Sequence, residues 1–370
     1  MQKQSMSNLD YFFLCKELGE LVGARLDNAY DYPGGFRLKF RKQGTQYNLV
    51  VELGSRIHLS QLLPEAPAEP TSFVKLLRSE LENAVLEKLE QINFDRVLAL
   101  NFSRQRTLVF EQLGKGNALL LDSENKILRP MRGEEFSSRK LRKGELYSPP
   151  PSSKKHPSQI TSNQANQIKL GSRNAVAELS RQINLAPFYL EEALGRAGYQ
   201  KSVSANSIDF QTVLKKTIEL LEEKPAPIVY FDESDSPAAF APFPLKKLGE
   251  NEFVEKKFDS FSQALDEYYS SSFKSRAAGE KTFKLEEEAR RLKAALEQQK
   301  RILQELEEEE KQARRAGEWI YENYSRVEEI LSQAGKMLEQ KSNEERIAAA
   351  LSKKLGRKVE IENKILEIEF

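Results

Sequence analysis

The chain has 370 residues, 39% hydrophobic and 31% charged, with a net charge of +1 that names no partner. That length suits two or three folded units, and the charged fraction suggests that one part is charged and elongated. A single cysteine excludes an internal disulfide and favours a reducing, cytoplasmic setting, and no apolar run approaches the roughly 18 residues of a membrane-spanning helix.

Ser7-Asn-Leu-Asp10 opens the first predicted helix with a Ser-x-x-acid pattern close to a capping box. Tyr11, Phe12, Leu14, Leu18 and Leu21 form its inner face, Cys15 reads as core, and Asp10 as a first-turn carboxylate favoured by the helix dipole. No signal peptide is read in the residues before it, which lack an apolar stretch and a cleavage site. From Arg25 to Leu59 the apolar period falls to two, through Phe36, Leu38, Phe40, Tyr47, Leu49, Val51 and Leu53, which predicts an antiparallel meander. Pro64, Pro67 and Pro70 mark a link to a second helix, capped by Thr71 or Ser72 and apolar at Phe73, Val74, Leu77 and Leu81. Short strands follow over 86–92, 97–102, 108–112, 118–121 and 126–129, so residues 1–151 read as an α+β unit.

The polar, Ser-rich stretch 152–169 reads as a linker and 170–224 as a helical unit. Residues 225–279 read as a small mixed subdomain that packs back on the first unit. A 4-3-4-3 seam runs from Leu285 and Ala289 through Leu292, Leu296, Leu303 and Leu306 to Ile320, Tyr324, Val327 and Leu331. It predicts a coiled-coil arm over 280–340. Residues 341–370 read as a distal helix and a hairpin around Asn363. A heptad seam needs a partner, and none of matching length follows; the arm either pairs with a second copy, as a homodimer, or awaits a returning helix.

From Arg96 to Lys143 eleven Lys/Arg stand against five Asp/Glu. Arg104, Arg106, Arg129, Arg132, Arg139, Lys140, Arg142 and Lys143 are candidate phosphate contacts. Asp95-Arg96 reads either as a strand-start turn with a surface ion pair, or as an Arg fork and an acceptor aimed at a nucleotide. Gly114-Lys115-Gly116-Asn117 is by default a hairpin turn, since it lacks the Lys-Ser/Thr of a P-loop. His58 and His156 sit at no metal-ligand spacing, so neither a metal site nor a cofactor site is read. Trp319, Tyr321 and Tyr324 read as core at the end of the coiled coil, with an exposed docking tip as the alternative.

Several spaced motifs together resemble the NFACT proteins, ribosome-associated quality-control factors also described in bacteria as fibronectin-binding-protein-like. They are Ser7-Asn-Leu-Asp10, Phe73-Val-Lys-Leu-Leu-Arg78, Gln91-Ile-Asn-Phe-Asp95-Arg96, Glu111-Gln-Leu-Gly-Lys-Gly116-Asn117 and Ala316-Gly-Glu-Trp-Ile-Tyr-Glu-Asn-Tyr324. The resemblance spans essentially the whole chain. It implies an α+β multidomain architecture: a glycosylase-like N-terminal β-sandwich with helices, a helix-hairpin-helix domain, and a long coiled-coil helix. It implies a non-enzymatic factor that binds tRNA, typically alanyl-tRNA, and a large ribosomal subunit holding a stalled peptidyl-tRNA, and that supports mRNA-independent tailing. Within that family the tRNA-engaging positions fall here on Asp10, Asp95 and Arg96. The resemblance also implies that the chain is the N-terminal part of a longer protein.

Three features depart from the pattern. Asn184 and Ala186 stand where a phosphate-binding hairpin wants glycines. Met1-Gln2-Lys3 offers no Pro-Glu for base excision, which weighs against a DNA-repair glycosylase. The second half of the coiled coil is not visible before Phe370. An adhesin for a matrix protein is the other alternative, and the lone cysteine and missing signal peptide weigh against it.

Overall fold

A carboxylate three residues into the first helix closes its own N-terminus: Asp10 Oδ2 accepts from the Ser7 backbone N–H at 2.6 Å and from Ser7 Oγ at 2.8 Å. This is the start of α1 (Asn8–Leu18) in the computed structural model. The structure describes the chain apart from residues 1, 2, 4, 33, 64–66, 68, 169, 250–252, 340–342, 363–364 and 369–370. Of residues 32, 249, 271–289, 294 and 362 only the backbone is described. The chain forms two units, Met1–Arg276 and Ala277–Phe370.

In the first unit the period-two stretch forms the antiparallel meander β1 (Arg25–Tyr32), β2 (Gly35–Lys42), β3 (Thr45–Glu52) and β4 (Arg56–Leu59), with Phe36 opposite Val51 and Leu38 opposite Leu49. Thr71 caps α2 (Ser72–Leu81) and is itself held by Asp31, which accepts from its N–H at 2.6 Å and its hydroxyl at 2.7 Å. A second antiparallel sheet follows in chain order: β5 (Leu86–Gln91), β6 (Val97–Phe102), β7 (Arg106–Glu111), β8 (Asn117–Leu121) and β9 (Ile127–Pro130). The two sheets share one core, where Phe36 meets Phe110 and Phe40 stacks on Phe102. A small ribbon, β10 (Glu134–Glu135) with β11 (Lys140–Leu141), ends this part.

The stretch expected to be a linker is folded instead. It carries a 3-10 turn at Pro157–Gln159 and α3 (Ser162–Gln167), capped by Thr161. Ile160 and Ala165 are buried in a second core, so two apolar residues in a polar run suffice to dock it. That core is built by α4 (Ala175–Gln182), α5 (Pro187–Arg196) and α6 (Phe210–Glu222) through Leu179, Ile183, Leu190, Leu194 and Val213.

Strands β12 (Ile228–Phe231), β13 (Pro237–Ala241) and β14 (Val254–Lys257) form a sheet in the order β13-β12-β14, with α7 (Lys246–Gly249) between the last two. Side chains alternate across a strand. Here Val229, Phe231 and Phe240 enter the first core, while Ile228, Tyr230, Ala239 and Ala241 enter the second. Helix α1 is shared in the same way, with Tyr11, Leu14 and Leu18 on one core and Leu9 and Phe13 on the other. The first residues of α8 (Phe261–Glu322) close the first core with Phe261, Ala264, Leu265, Tyr268 and Tyr269.

In the second unit α8 ends at a turn on Asn323, followed by α9 (Tyr324–Glu339), α10 (Glu344–Leu355) and the hairpin β15 (Val359–Glu362) with β16 (Ile365–Ile368). The expected turn residue Asn363 lies outside the described residues, as do the side chains of Leu285 and Ala289. The seam does not continue to Leu331 as the spacing predicts. Tyr324 and Leu331 are exposed, whereas Ile330 and Ala334 pack on Ile347 and Leu351 of α10, because the break at Asn323 changes which face is covered. Trp319 joins that core, while Tyr321 is 88% exposed. Leu292, Leu296, Leu303 and Leu306 are exposed as well.

Candidate nucleic-acid interface

The loop between β5 and β6 is tightly wound. Asn93 and Phe94 both have positive φ, 53° and 51°, a conformation rare outside glycine. Asp95 Oδ1 accepts from the backbone N–H of Arg96 at 2.7 Å, and Gln112 N–H donates to the Arg96 carbonyl at 2.8 Å. The surface ion pair weighed from sequence does not form: among the described residues the half-buried Arg96 guanidinium has no hydrogen bond or ion pair. Asp95 turns its own loop, and its Oδ2 has no hydrogen bond among the described residues.

Asn8 fixes this loop to the rest of the unit. Its amide donates to the carbonyls of Asn184, at 2.8 Å, and Phe94, at 3.3 Å, and its Oδ1 accepts from Ala186 N–H at 3.2 Å. Asn184 in turn donates to the carbonyls of Asn93 and Phe94, both at 3.2 Å. Gln91 bridges the carbonyls of Asn8 and Asp95 at 2.8 Å each. Three segments far apart in sequence thus meet through amide side chains. The hairpin between α4 and α5 spends its N–H groups internally, Asn184 on Lys155, Leu185 on Ile183 and Ala186 on Asn8, which leaves none for a phosphate.

A cavity of about 420 Å³ opens at this junction, and Ser7, Asp95, Arg96, Lys154 and Pro187 are in its wall, with Lys3 beside them. Lys154 is exposed and has no ion pair among the described residues. Lys3 is buried and donates to Asp10 Oδ1 at 2.7 Å, to Tyr189 Oη at 3.0 Å and to the Phe240 carbonyl at 3.0 Å. Its ammonium lies 4.2 Å from the centre of the Phe240 ring. Burial pulls the Lys3 amine down to about 8, against the opposing pull of Asp10.

Asp10 differs from the expectation of a direct RNA contact. It is 0% exposed, and its two oxygens are taken by Lys3, Tyr189 and Ser7. A carboxylate saturated in this way positions its neighbours and has no free acceptor to offer.

The basic run does not form one patch either, because a meander sends alternate turns to opposite ends of a sheet. The turns at 92–96 and 112–116, together with Arg132, lie at one end: Val97 pairs with Glu111, Glu111 with Asn117, and Asn117 bonds the Arg132 backbone. Arg104 and Arg106 lie at the other, six residues or about 20 Å along β6. Arg106 pairs with Glu80, and both Lys140 and Arg142 pair with Glu135. Lys143 is exposed and without an ion pair among the described residues. Arg139 is a correction: its side chain is 8% exposed and grips Glu111 with both terminal nitrogens, a fork that Tyr147 completes. The motif 111–117 is likewise scaffold. Gly116 lies so close to the β3–β4 turn that a Cβ there would sit 2.2 Å from the Gly54 nitrogen.

A family model described as the NFACT N-terminal and middle domains matches residues 9–365. The chain belongs to the NFACT family. It is 29% identical over 357 residues to the archaeal Rqc2 homologue aRqcH of Methanocaldococcus jannaschii, covering 89% of this chain and 52% of that protein. Against the ribosome quality control complex subunit 2 of Saccharomyces cerevisiae it is 38% identical over 135 residues, 35% of this chain and 13% of that one. This NFACT chain therefore spans about half the length of its archaeal relative, and less of the yeast one.

Among solved structures, the N-terminal part of the fibronectin/fibrinogen-binding protein of Streptococcus suis aligns with a TM-score of 0.59 at 23% identity, covering 72% of this chain and all of that one. The fibrinogen-binding protein of Staphylococcus aureus aligns at 0.60 and 20% identity, covering 71% of this chain and 98% of that one. At these identities the likeness is one of fold alone. Among the described residues no helix is long and apolar enough to cross a membrane.

The sequence singled out Asp95 and Arg96, which line one cavity, but gave no role to Lys3, Asn8, Gln91 or Tyr189. Asn8 and Gln91 stood inside the quoted motifs, where nothing local showed what their amides hold. Lys3 and Tyr189 gave none, since their partnership spans 186 residues.

Proposed function

We propose that this NFACT chain is the tRNA-holding part of a ribosome-associated quality-control factor. One observation carries the reading: among the described residues Arg96, half-buried in a cavity wall, has no acidic partner, and Asp95 beside it keeps one oxygen without a hydrogen bond. A planar guanidinium held in that state suits a phosphate or a base edge, and a free carboxylate oxygen suits a base amine. Lys154 adds charge at the same mouth, and Asp10 acts through Lys3 and Ser7 to shape the wall.

The names of the archaeal and yeast relatives support the ribosomal setting. In this reading the factor engages a large ribosomal subunit with a stalled peptidyl-tRNA and brings tRNA, of the alanyl class, for mRNA-independent tailing. Peptide-bond chemistry then belongs to the ribosome, and the chain contributes binding. The glycosylase-like description of the first unit and the helix-hairpin-helix description of 170–224 belong to the same proposal.

The test is a tRNA titration at two salt concentrations, comparing the chain with its Asp95→Ala/Arg96→Ala variant. A loss of about 1–3 kcal/mol is expected, with a shallower salt dependence if Arg96 holds a phosphate. Unchanged affinity would remove the Asp-Arg assignment and leave the fold untouched.

One observation favours a second reading, a lyase acting on abasic nucleic acid. Lys3, in the same cavity wall, has an amine lowered to about 8 and paired with the buried Asp10 carboxylate, as an amine nucleophile requires. Against it, the amine is locked by three hydrogen bonds and enclosed by rings. Borohydride trapping on abasic DNA decides: a covalent adduct lost in Lys3→Arg establishes the lyase, and no adduct is the outcome expected here.

A further inference from the structure

A second cavity borders the 92–96 loop at Phe94. It measures about 410 Å³ and is lined by Phe12, Cys15, Lys16, Gln91, Phe94 and His156. We propose that it is a stacking subsite for one unpaired nucleobase of a single-stranded RNA loop. The proposal rests on the reading of Arg96 as an RNA contact and specifies what lies beside it.

The cavity's chemistry fits a base on each side. Phe12 and His156 both stand steeply to Phe94, at interplanar angles of 74° and 69° and ring distances of 5.7 and 4.5 Å, so three of the six lining residues are rings in mutual contact. Stacking on Phe and His side chains is how proteins hold bases splayed out of a single strand. Phe94 keeps its place through a positive φ of 51°, an unfavourable conformation for a bulky residue, held by the Asn8 and Asn184 amides on its carbonyl.

Polar groups at the rim complete the fit. His156 Nδ1 accepts from Ser158 N–H at 3.1 Å, which leaves Nε2–H of the neutral ring as a donor with no partner among the described residues. Burial lowers the His156 pKa, which keeps the ring neutral at neutral pH. Gln91 spends its amide nitrogen on two carbonyls, and its oxygen makes no hydrogen bond among the described residues, so an acceptor faces a base amine. Lys16 lies over one face of the Phe12 ring, 4.1 Å from its centre, has no ion pair among the described residues, and adds a cation to the lining that a phosphate can reach. The lining holds no carboxylate. The Cys15 thiol, pushed up to about 12 by burial, contributes contact only.

Position argues for one strand across both cavities. Phe94 lines this cavity and Asp95 the other, neighbours about 3.8 Å apart along the chain. A base stacked here and a phosphate or base edge on Arg96 would belong to adjacent nucleotides.

The experiment uses RNA stem-loops in which each single-stranded loop position in turn is made abasic. Affinities are measured by fluorescence anisotropy for the unaltered chain and for Phe12→Leu, His156→Ala and Arg96→Ala. One abasic position is expected to weaken the unaltered chain about tenfold. Phe12→Leu and His156→Ala should lose that sensitivity, and 2-aminopurine at the same position should be quenched by the unaltered chain and by Arg96→Ala but not by Phe12→Leu or His156→Ala. Arg96→Ala should bind more weakly yet stay sensitive to that position, so a failure of the Arg96 reading appears separately as unchanged affinity in that variant.

Indifference of the unaltered chain at every loop position would overturn the proposal. So would sensitivity that survives in both Phe12→Leu and His156→Ala with their thermal melts intact. Specific binding of an apolar peptide in the cavity, with RNA affinity indifferent to its presence, would assign the cavity to a protein side chain and overturn it too.

Discussion

A single methyl group separates the Gly-Asn loop from a steric collision. At Gly116 the backbone has a φ of 67° and an added Cβ would fall 2.2 Å from Gly54 N, so Gly116→Ala must both strain its own turn and push it away from the β3–β4 turn of the other sheet. A loss of at least about 2 kcal/mol is expected in urea unfolding, whereas Gly44→Ala, also at positive φ but in open space, should cost only about 1 kcal/mol. Equal losses would contradict the close-approach account. Lys3 makes a second residue-level prediction. Its folded-state pKa of about 8 lies below the 10.5 of an ordinary lysine amine, so the unfolded chain holds the proton over a wider range. The cost of burying a charged amine is therefore fully present below about 8 and is relieved as pH rises from there toward 10.5, and stability should rise with pH in that window. Side-chain NMR of Lys3 should show the titration near 8, and Asp10→Asn, which strands a buried cation, should cost about 3–5 kcal/mol.

At the scale of elements, α8 is fastened to the first sheet by a polar clasp. Asp266 accepts from His58 Nε2 at 2.9 Å, Ser60 Oγ at 2.6 Å and Gln61 N–H at 2.9 Å. Burial lowers the His58 pKa beneath its usual 6.5, and its Nδ1 has no partner among the described residues. The unfolded state therefore takes up the proton first, and stability should fall as pH drops below about 6.5. Thermal melts of the chain and of His58→Gln across that range check the sign: the variant should lose the slope. The first helix and the strands were legible as elements because apolar period and caps are local. The segment 157–168 was not, because Ile160 and Ala165 look like stray apolar residues until α4 and α6 give them a core. Ile160→Ser should therefore destabilise by about 2 kcal/mol or more, a value no linker residue would give.

For the whole molecule, the two units are separately cored, and the exposed leucines of α8 belong to neither core. Leu296→Gln and Leu303→Gln, at positions 51% and 56% exposed, should leave the melting temperature of the isolated chain within about 1 °C. A concentration-dependent fall in melting temperature on substitution would instead show that a second copy covers the seam.

What the sequence determined by itself is local or repetitive. Period and capping marked most strands and helices, and spaced motifs identified the family and singled out Asp95-Arg96. Tertiary structure decided which charges are free. Arg139 and Asp10 look like Arg96 and Asp95 in sequence, yet Glu111 consumes the one and Lys3, Tyr189 and Ser7 the other. A side chain's availability depends on partners brought in from distant segments, in the case of Asp10 from as far as 179 residues away, and no local pattern records that.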